Sequence, residues 1–577
     1  MVFHKVTPTA VGRGLVPNVF DVAAFVLVVG FLVLIVYGVN QADAPLSAVS
    51  TSAIDLSPWH LPEYALRTTL RMLAAMIWSL VFTFVYATVA AKSRRAELVL
   101  IPVLDILQSV PILGFLTFTV VFFMGLFPGK VFGAELACVF AIFTSQAWNM
   151  TFSMYQSLRN VPKDLDEVSQ SFHLSAWQRF WHLDVSFAMP GLVWNAMMSM
   201  SGGWFFVVAS EAITVGDTTV TLPGVGSYVA EAIHQQNLAA VGWAVLTMLA
   251  VIVAYDQLLF RPIVAWADKF RVEQTASGEA PSSWVLDLFR KTRSLRALSQ
   301  MTSNALRGIG RWRLPLPAAP RFSFRLPVSA RLMDALWITL VGAVTLYIGW
   351  EVVRFIGDSL TFADAGEALG KGMITLVRVL VLIALATLVW VPIGVWIGLR
   401  PRLAEKVQPL AQFLAAFPAN IAFPAVVMLI VDFHLNANVW LSPLMILGTQ
   451  WYILFNVIAG ASAFPSDLRD AAASFHLTGW RWWRNVILPG IFPYYVTGAI
   501  TASGGSWNAA IVAEAASWGS HQLTATGLGS YIAAATTAGD FPRVVLGIAV
   551  MSLFVTVTNR IVWRPLYAYA ERRLRIA

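Results

Sequence analysis

The chain has 577 residues, of which 58% are hydrophobic and 12% charged, with a mean hydropathy of +0.69. Soluble domains carry about 25% charged residues, so this composition excludes a water-soluble globular protein. A single cysteine, Cys138, excludes an internal disulfide and a multi-cysteine metal cluster, and reads as a small core residue. In a membrane chain the net charge of +8 marks Lys and Arg held in cytoplasmic loops rather than a nucleic-acid site.

About twelve apolar stretches follow one another at 20–38, 72–91, 98–126, 132–154, 187–213, 239–260, 335–353, 373–399, 407–431, 438–460, 489–513 and 543–563. Each is near or above the roughly 17–25 residues that cross a bilayer, which predicts an all-α polytopic membrane protein. The first stretch follows Lys5 and Arg13, and Ala42-Asp43-Ala44 after it resembles a signal-peptide cleavage site. Pro45 just beyond that site and the length of the apolar run favour an uncleaved helix. Lys92, Arg94 and Arg95 follow the second stretch, and Arg400, Arg402 and Lys406 follow the eighth. The chain ends with Arg572, Arg573 and Arg575, whereas the loops 39–66, 214–238 and 514–541 are poor in Lys and Arg. The positive-inside rule then places both termini in the cytoplasm. Residues 264–330 carry Arg290, Lys291, Arg293, Arg296, Arg307, Arg311, Arg313, Arg321 and Arg325. They read as a basic cytoplasmic linker lying against anionic lipid. They divide the chain into a first repeat, 1–263, and a second, 331–577.

The division is a duplication. A shift of 303 residues aligns Trp148 with Trp451, Phe172-His173-Leu174 with Phe475-His476-Leu477, and Trp177 with Trp480. The same shift aligns Pro190 with Pro493, Trp204 with Trp507, Glu211 with Glu514, Gly226-Ser227-Tyr228 with Gly529-Ser530-Tyr531, and Arg261-Pro262 with Arg564-Pro565. Upstream the shift is 307, aligning Arg71 with Arg378 and Pro111 with Pro418. Equal, even numbers of spans make the halves parallel repeats about an axis along the membrane normal, where equivalent helices would line a pathway.

Between the fourth and fifth spans of each half lies a short helix that opens with Pro162 or Pro465 and has acids in its first turn, followed by a Trp- and Arg-rich piece. In the second loop Asp470, Ala471 and Ala472 precede Phe475, His476 and Leu477, and Leu488-Pro489 follows. This loop resembles the EAA loop of binding-protein-dependent ABC importer permeases: an acid, two alanines, a glycine and, further on, Leu-Pro. The first loop is similar but looser: Glu167 is the acid, Val168 and Ser169 replace the alanine pair, Phe172, His173 and Leu174 follow, and Ser186 replaces Pro489. Both halves carry His where the family has glycine. Trp507 through Glu514 with Gly527-Leu528-Gly529, and Trp204 through Glu211 with Gly224-Val225-Gly226, are similar to permeases of the nitrate, sulfonate, taurine and bicarbonate type. The resemblance covers roughly 67–271 and 374–577, giving repeat cores of 67–263 and 374–577.

It implies a type I importer fold of two six-helix repeats in a bacterial inner membrane. Two ABC ATPase subunits, which carry ATP and magnesium, would dock on the two loops. A substrate-binding protein, periplasmic or lipid-anchored, would deliver a small anion. The chain itself has no recognisable nucleotide site: the nearest string, Gly366 to Gly372, has one residue too few between its glycines and Gly372 where Ser or Thr should hold magnesium. Arg71 and Arg378 could attract an anion, anchor at the interface, or pair with Glu211 or Glu514; the two acids could gate or pair. Trp148, Trp204, Trp451 and Trp507 could line the pathway or pack as core and interfacial belt. His173 and His476, with no metal-ligand spacing, fit a packing role against the ATPase better than a pH sensor. The competing reading is an ion-gradient-driven secondary transporter of six plus six helices, which ordinarily needs ionisable groups near mid-span; Asp105, early in the third stretch, is one of few.

Overall fold

The computed structural model describes residues 54–215, 218–270, 283–292, 308, 330–462, 464, 466–519 and 521–573. The apolar stretch 20–38, its cleavage-like site and most of the basic linker lie outside these residues. Helix Leu61–Lys92 (α1) illustrates how the spans are built. Ile77, Trp78, Val81 and Val85 are exposed along one side, where lipid would lie, while Ala75, Ser79, Thr83 and Ala87 are buried on the other. Small inward residues let α1 close on Val131–Arg159 (α4), where the Thr83 and Thr151 hydroxyls meet at 3.1 Å. Cys138 is buried on α4, with its Sγ 3.0 Å from the Ser210 hydroxyl.

Among the described residues eight helices are long and apolar enough to cross a membrane, or nine if the pair Ala437–Leu447 and Trp451–Ser462, bent by 45°, is one span. Two of the twelve apolar stretches are each made of two shorter helices rather than one long one. Stretch 98–126 is two helices, Arg94–Ser109 (α2) and Ile112–Leu126 (α3), and stretch 407–431 is divided the same way, into Pro401–Ala416 and Phe423–Asp432. The breaks fall at Pro111 and Pro418, both in extended backbone. A proline removes a helical donor and pushes the residue before it out of the helical region.

The duplication extends to element boundaries. Lys163–Ser171 (α5) recurs as Ser466–Ser474, Val185–Ser210 (α6) as Leu488–Ala513, Val225–His234 (α7) as Leu528–Thr537, and Leu238–Tyr255 (α8) as Phe541–Thr558. Even the π-helical turns repeat: Phe180–Asp184 with Trp483–Ile487, and Asp256–Phe260 with Asn559–Trp563. Continuing in chain order, Arg261–Ala267 is α9, Trp284–Lys291 α10, Ala330–Gly357 α11, Phe362–Gly398 α12, Pro401–Ala416 α13, Phe423–Asp432 α14 and Trp451–Ser462 α15. Ser466–Ser474 is α16, Leu488–Ala513 α17, Leu528–Thr537 α18, Phe541–Thr558 α19 and Arg564–Arg573 α20.

Two short antiparallel hairpins interrupt the helical architecture, β1 Ala212–Val215 with β2 Thr218–Thr221, and β3 Ala515–Trp518 with β4 His521–Thr524. They reach across to the opposite half: β1 touches α18 and β3 touches α7. At the second hairpin the Gly519 N–H donates to the Ile233 carbonyl at 2.9 Å. Gly519 has φ +59, and the Gln236 side chain occupies the space a Cβ would need, so both conformation and packing call for glycine. Deeper in, α6 packs on α13, and α3 on α17. The halves are stitched there by Asn508 Oδ1, which accepts the free Ile112 N–H at the start of α3 (2.7 Å).

Candidate functional site

Three sets of residues carry functional geometry. The first is the pair of loop helices. In α5 the acids Asp164 and Asp166 occupy the first turn, where they complement the helix dipole. The helix ends at Phe172, and His173 takes φ 47. Its N–H donates to the Gln170 carbonyl (2.9 Å) and the Leu174 N–H to the Ser169 carbonyl (3.2 Å). The second loop repeats this: His476 has φ 51, with His476 N–H to Ala473 O (3.0 Å) and Leu477 N–H to Ala472 O (2.9 Å). Both histidines thus hold the left-handed C-terminal turn that a glycine ordinarily makes. Just before each, a phenylalanine stands out of the fold: Phe172 is 73% exposed and Phe475 78%. Glu167, Asp470 and Ala471 are exposed beside them, Leu174 and Leu477 are half-buried, and Ala472 is buried. Pro489 lies at the start of α17, after the π turn.

The first loop is tied to the bundle by a chain of charges that residue patterns did not reveal. Arg179 bridges Asp166 (2.7 Å) and buried Asp184 (3.7 Å), and Asp184 takes Lys92 at the end of α1 (2.7 Å). At the shift of 303, Arg469, Trp482 and Ile487 stand for Asp166, Arg179 and Asp184. The second loop has apolar packing there instead, with Ile487 fully buried and Trp482 packed against the main core.

The second set is a buried node at the far end of each half, where α6 or α17 stops. Glu211 ends α6 and is fully buried. Its Oε1 accepts from Thr68 Oγ1 (2.7 Å) and Arg71 Nη1 (2.7 Å), and its Oε2 from the Gly226 N–H (2.7 Å). Arg71 also donates to both oxygens of Glu135 (2.6 and 2.7 Å). In the second node Glu514 accepts from Thr375 Oγ1 (2.9 Å), Arg378 Nη1 (2.9 Å) and the Gly529 N–H (2.7 Å). Here Arg378 meets Asn438 Oδ1 (3.2 Å), the counterpart of Glu135. Each carboxylate therefore sits at the N-terminus of the next short helix with a guanidinium on its other side. The glycines are required for space: a Cβ at Gly224 or Gly527 would fall on the carboxylate of Glu211 or Glu514. The arginines and acids are paired with each other, leaving neither free to hold a solute in this conformation.

The third set lies between the halves. A cavity of about 80 Å³ is walled by Ser201, Gly202 and Phe205 from α6 and by Phe417, Thr449 and Tyr452 from the second half. Trp148, half-buried, packs edge-on to Phe82 and Phe143; Trp451 packs on Trp390; neither lines this cavity. Trp204 and Trp507 are almost wholly buried, Trp204 against Tyr255 and Trp507 against Phe554. Among the described residues no group of three or more His, Cys, Asp or Glu side chains is placed to hold a metal.

The family described as "Binding-protein-dependent transport system inner membrane component" matches residues 79–259 and again 390–575, well over half of the chain. The chain belongs to this permease family. The match sets aside the gradient-driven reading. A bicarbonate transport system permease protein of Synechococcus elongatus is 28% identical over 206 residues, covering 32% of this chain and 72% of its own. A nitrate import permease protein of Leptolyngbya laminosa is 26% identical over 188 residues, 33% of this chain and 64% of its own. A glycine betaine/proline betaine transport system permease protein of Escherichia coli is 28% identical over 218 residues, 37% of this chain and 56% of its own. Each of these relatives aligns with about a third of the chain, whereas the family occurs in it twice. The chain is thus a duplicated, multi-pass permease component of a transport system.

Proposed function

We propose that this chain alone supplies the membrane-spanning unit of an ATP-driven importer for a small anion of the nitrate, bicarbonate, sulfonate or taurine kind. Two ABC ATPase subunits dock on the cytoplasmic loops 158–186 and 461–488, one on each. The contact is made by Phe172, His173 and Leu174 with Glu167 in the first, and by Phe475, His476 and Leu477 with Asp470, Ala471 and Ala472 in the second. ATP and magnesium stay on those partners, both termini lie in the cytoplasm, and a binding protein delivers solute to the outer face. The observation that carries this reading is the matched pair of loop helices, each ending in an exposed phenylalanine beside a left-handed histidine. A large apolar ring left in water costs free energy that a partner surface recovers. A short helix that seats as a rigid body can pass closure of the ATPases to α6 and α17 through the π turns that precede them. Anion transport is supported by the names of the bicarbonate and nitrate relatives. Mass measurement of the complex purified with its native partners tests the stoichiometry: one copy of this chain with two ATPase subunits is expected. Two copies of the chain per ATPase pair would count against it.

A further inference from the structure

We infer that the cavities around Ser201 form a membrane-embedded subsite for a small oxyanion, solvated there by the uncharged hydroxyls of Tyr255 and Tyr452. The inference rests on the reading of the chain as an anion permease and assigns the residues that the solute meets inside it. Ser201 stands in the wall of two cavities. One is the 80 Å³ space shared with Tyr452; the other, about 30 Å³, is walled by Trp204, Tyr255 and Phe260 and, from the second half, Phe413. The larger has room for several water molecules and the smaller for one.

Tyr255 is only 8% exposed, and its hydroxyl has no hydrogen-bond partner among the described residues. A buried polar group is ordinarily paired, and one left alone calls for an explanation. The π turn Asp256–Phe260 begins directly after it, and its wider turn brings Phe260 against Tyr255, ring centroids 5.1 Å apart, with both rings buried. Such turns recur at functional sites. Tyr452 reaches across from the second half: a Cβ at Gly202 would lie 3.3 Å from its hydroxyl oxygen, and no hydrogen bond to that hydroxyl forms among the described residues. Among the described residues each cavity thus offers one unengaged O–H donor, Tyr255 from the first half in the smaller and Tyr452 from the second half in the larger, with Ser201, whose hydroxyl donates to the Met197 carbonyl (3.2 Å), in the wall of both.

The chemistry suits passage rather than capture. A fixed cation would hold an anion that must leave again, whereas neutral donors replace part of its hydration shell without trapping it. Among the described residues no Lys, Arg or His lines either cavity. Asp256, an acid in the wall of the smaller cavity, has its Oδ2 engaged by Arg261 Nε and Gln257 Nε2, each at 3.1 Å. The donors do not repeat across the axis: Thr558 stands for Tyr255, Gly504 for Ser201 and Asn149 for Tyr452.

Tyr255→Phe and Tyr452→Phe test the subsite in proteoliposomes that hold the full chain with its ATPase and binding-protein partners. Uptake of ¹⁴C-bicarbonate, nitrate and taurine is measured beside ATP hydrolysis and thermal unfolding. Each change is expected to lower the uptake rate of the transported oxyanion about tenfold, the worth of one hydrogen bond to a charged group. Unfolding should be unaffected, and Thr558→Val should transport like the unsubstituted chain. A second readout uses Ser201→Cys in a Cys138→Ala background, where bicarbonate or nitrate should slow modification by a small thiosulfonate reagent. Unchanged uptake in both tyrosine variants, or labelling indifferent to every anion, overturns the subsite while leaving the transport reading intact. Absence of ATP-dependent uptake of all three probes by the unsubstituted complex overturns the transport reading itself.

Discussion

Replacing Glu211 by Gln and Glu514 by Gln should destabilise the protein unequally, with Glu514→Gln the worse. Both carboxylates are buried, and both take an arginine, a threonine and a helix N-terminal amide. An amide in either place turns an NH₂ group toward one of those donors. The difference lies in what remains for the arginine. Arg71 keeps two bonds to Glu135, at 2.6 and 2.7 Å, and so stays charge-compensated. Among the described residues Arg378 keeps only the neutral Asn438 at 3.2 Å. Removing one partner of a buried ion pair costs about 3–5 kcal/mol; losing one hydrogen bond to a charged group costs about 1.5–3 kcal/mol. The gap of about 2 kcal/mol is roughly thirtyfold in an equilibrium constant. Heat-induced unfolding of the detergent-solubilised protein, followed by tryptophan fluorescence, measures the order, and adding Glu135→Gln to Glu211→Gln should erase the gap. If Glu211→Gln is as damaging as Glu514→Gln by itself, the compensating role given to Glu135 is wrong.

The loops supply the other expectations. Asp470→Lys and Glu167→Lys reverse the charge at an exposed position in the middle of a loop helix, on the surface given to the ATPase, so transport and transport-coupled ATP hydrolysis should fall, more for Asp470, while the protein still inserts; normal uptake by Asp470→Lys would remove the second loop from the mechanism. Phe475→Ala should weaken ATPase association at least tenfold in a pull-down titration with little change in unfolding, since the ring is largely in solvent. His476→Gly relieves a side chain held at φ 51, and is expected to stabilise the isolated chain by about 1 kcal/mol; a lower unfolding temperature would mean the imidazole makes a contact that outweighs the strain. Lys92→Met leaves Asp184 buried with only Arg179 at 3.7 Å and should cost about 3 kcal/mol, whereas the equivalent place in the second half, Leu399, has no carboxylate to strand.

Features that the two halves share in residue type were legible before any coordinates. The repeat, the loop helices and the Arg–Glu–Gly set all show up because each half carries the same chemistry at one shift. The Thr68 and Thr375 donors could have been found the same way, for both precede their arginine by one helical turn. What stayed hidden is what the halves do not share. Glu135 becomes Asn438, so its place beside Arg71 leaves no pattern, and the Lys92–Asp184–Arg179–Asp166 chain exists on one side alone. Pro111 and Pro418 were visible as an aligned pair, yet hydropathy averages across them and reports one span where the backbone makes two short helices. The hairpins, four residues per strand, are too brief for an alternating pattern to stand out.

The contact of Tyr452 with Gly202 has a meaning for how such a chain can change. In an assembly of two identical subunits, any residue near the axis is present twice, so a knob on one side must come with the same knob on the other. A single polypeptide is free of that constraint. Here the large side chain stands only at 452, while its counterpart is Asn149, and the glycine that receives it at 202 has a counterpart at 505 faced by Thr449 instead. Joining the halves lets the two walls of the interface be altered one at a time, so a solute preference can be adjusted on one wall while the other continues to seal.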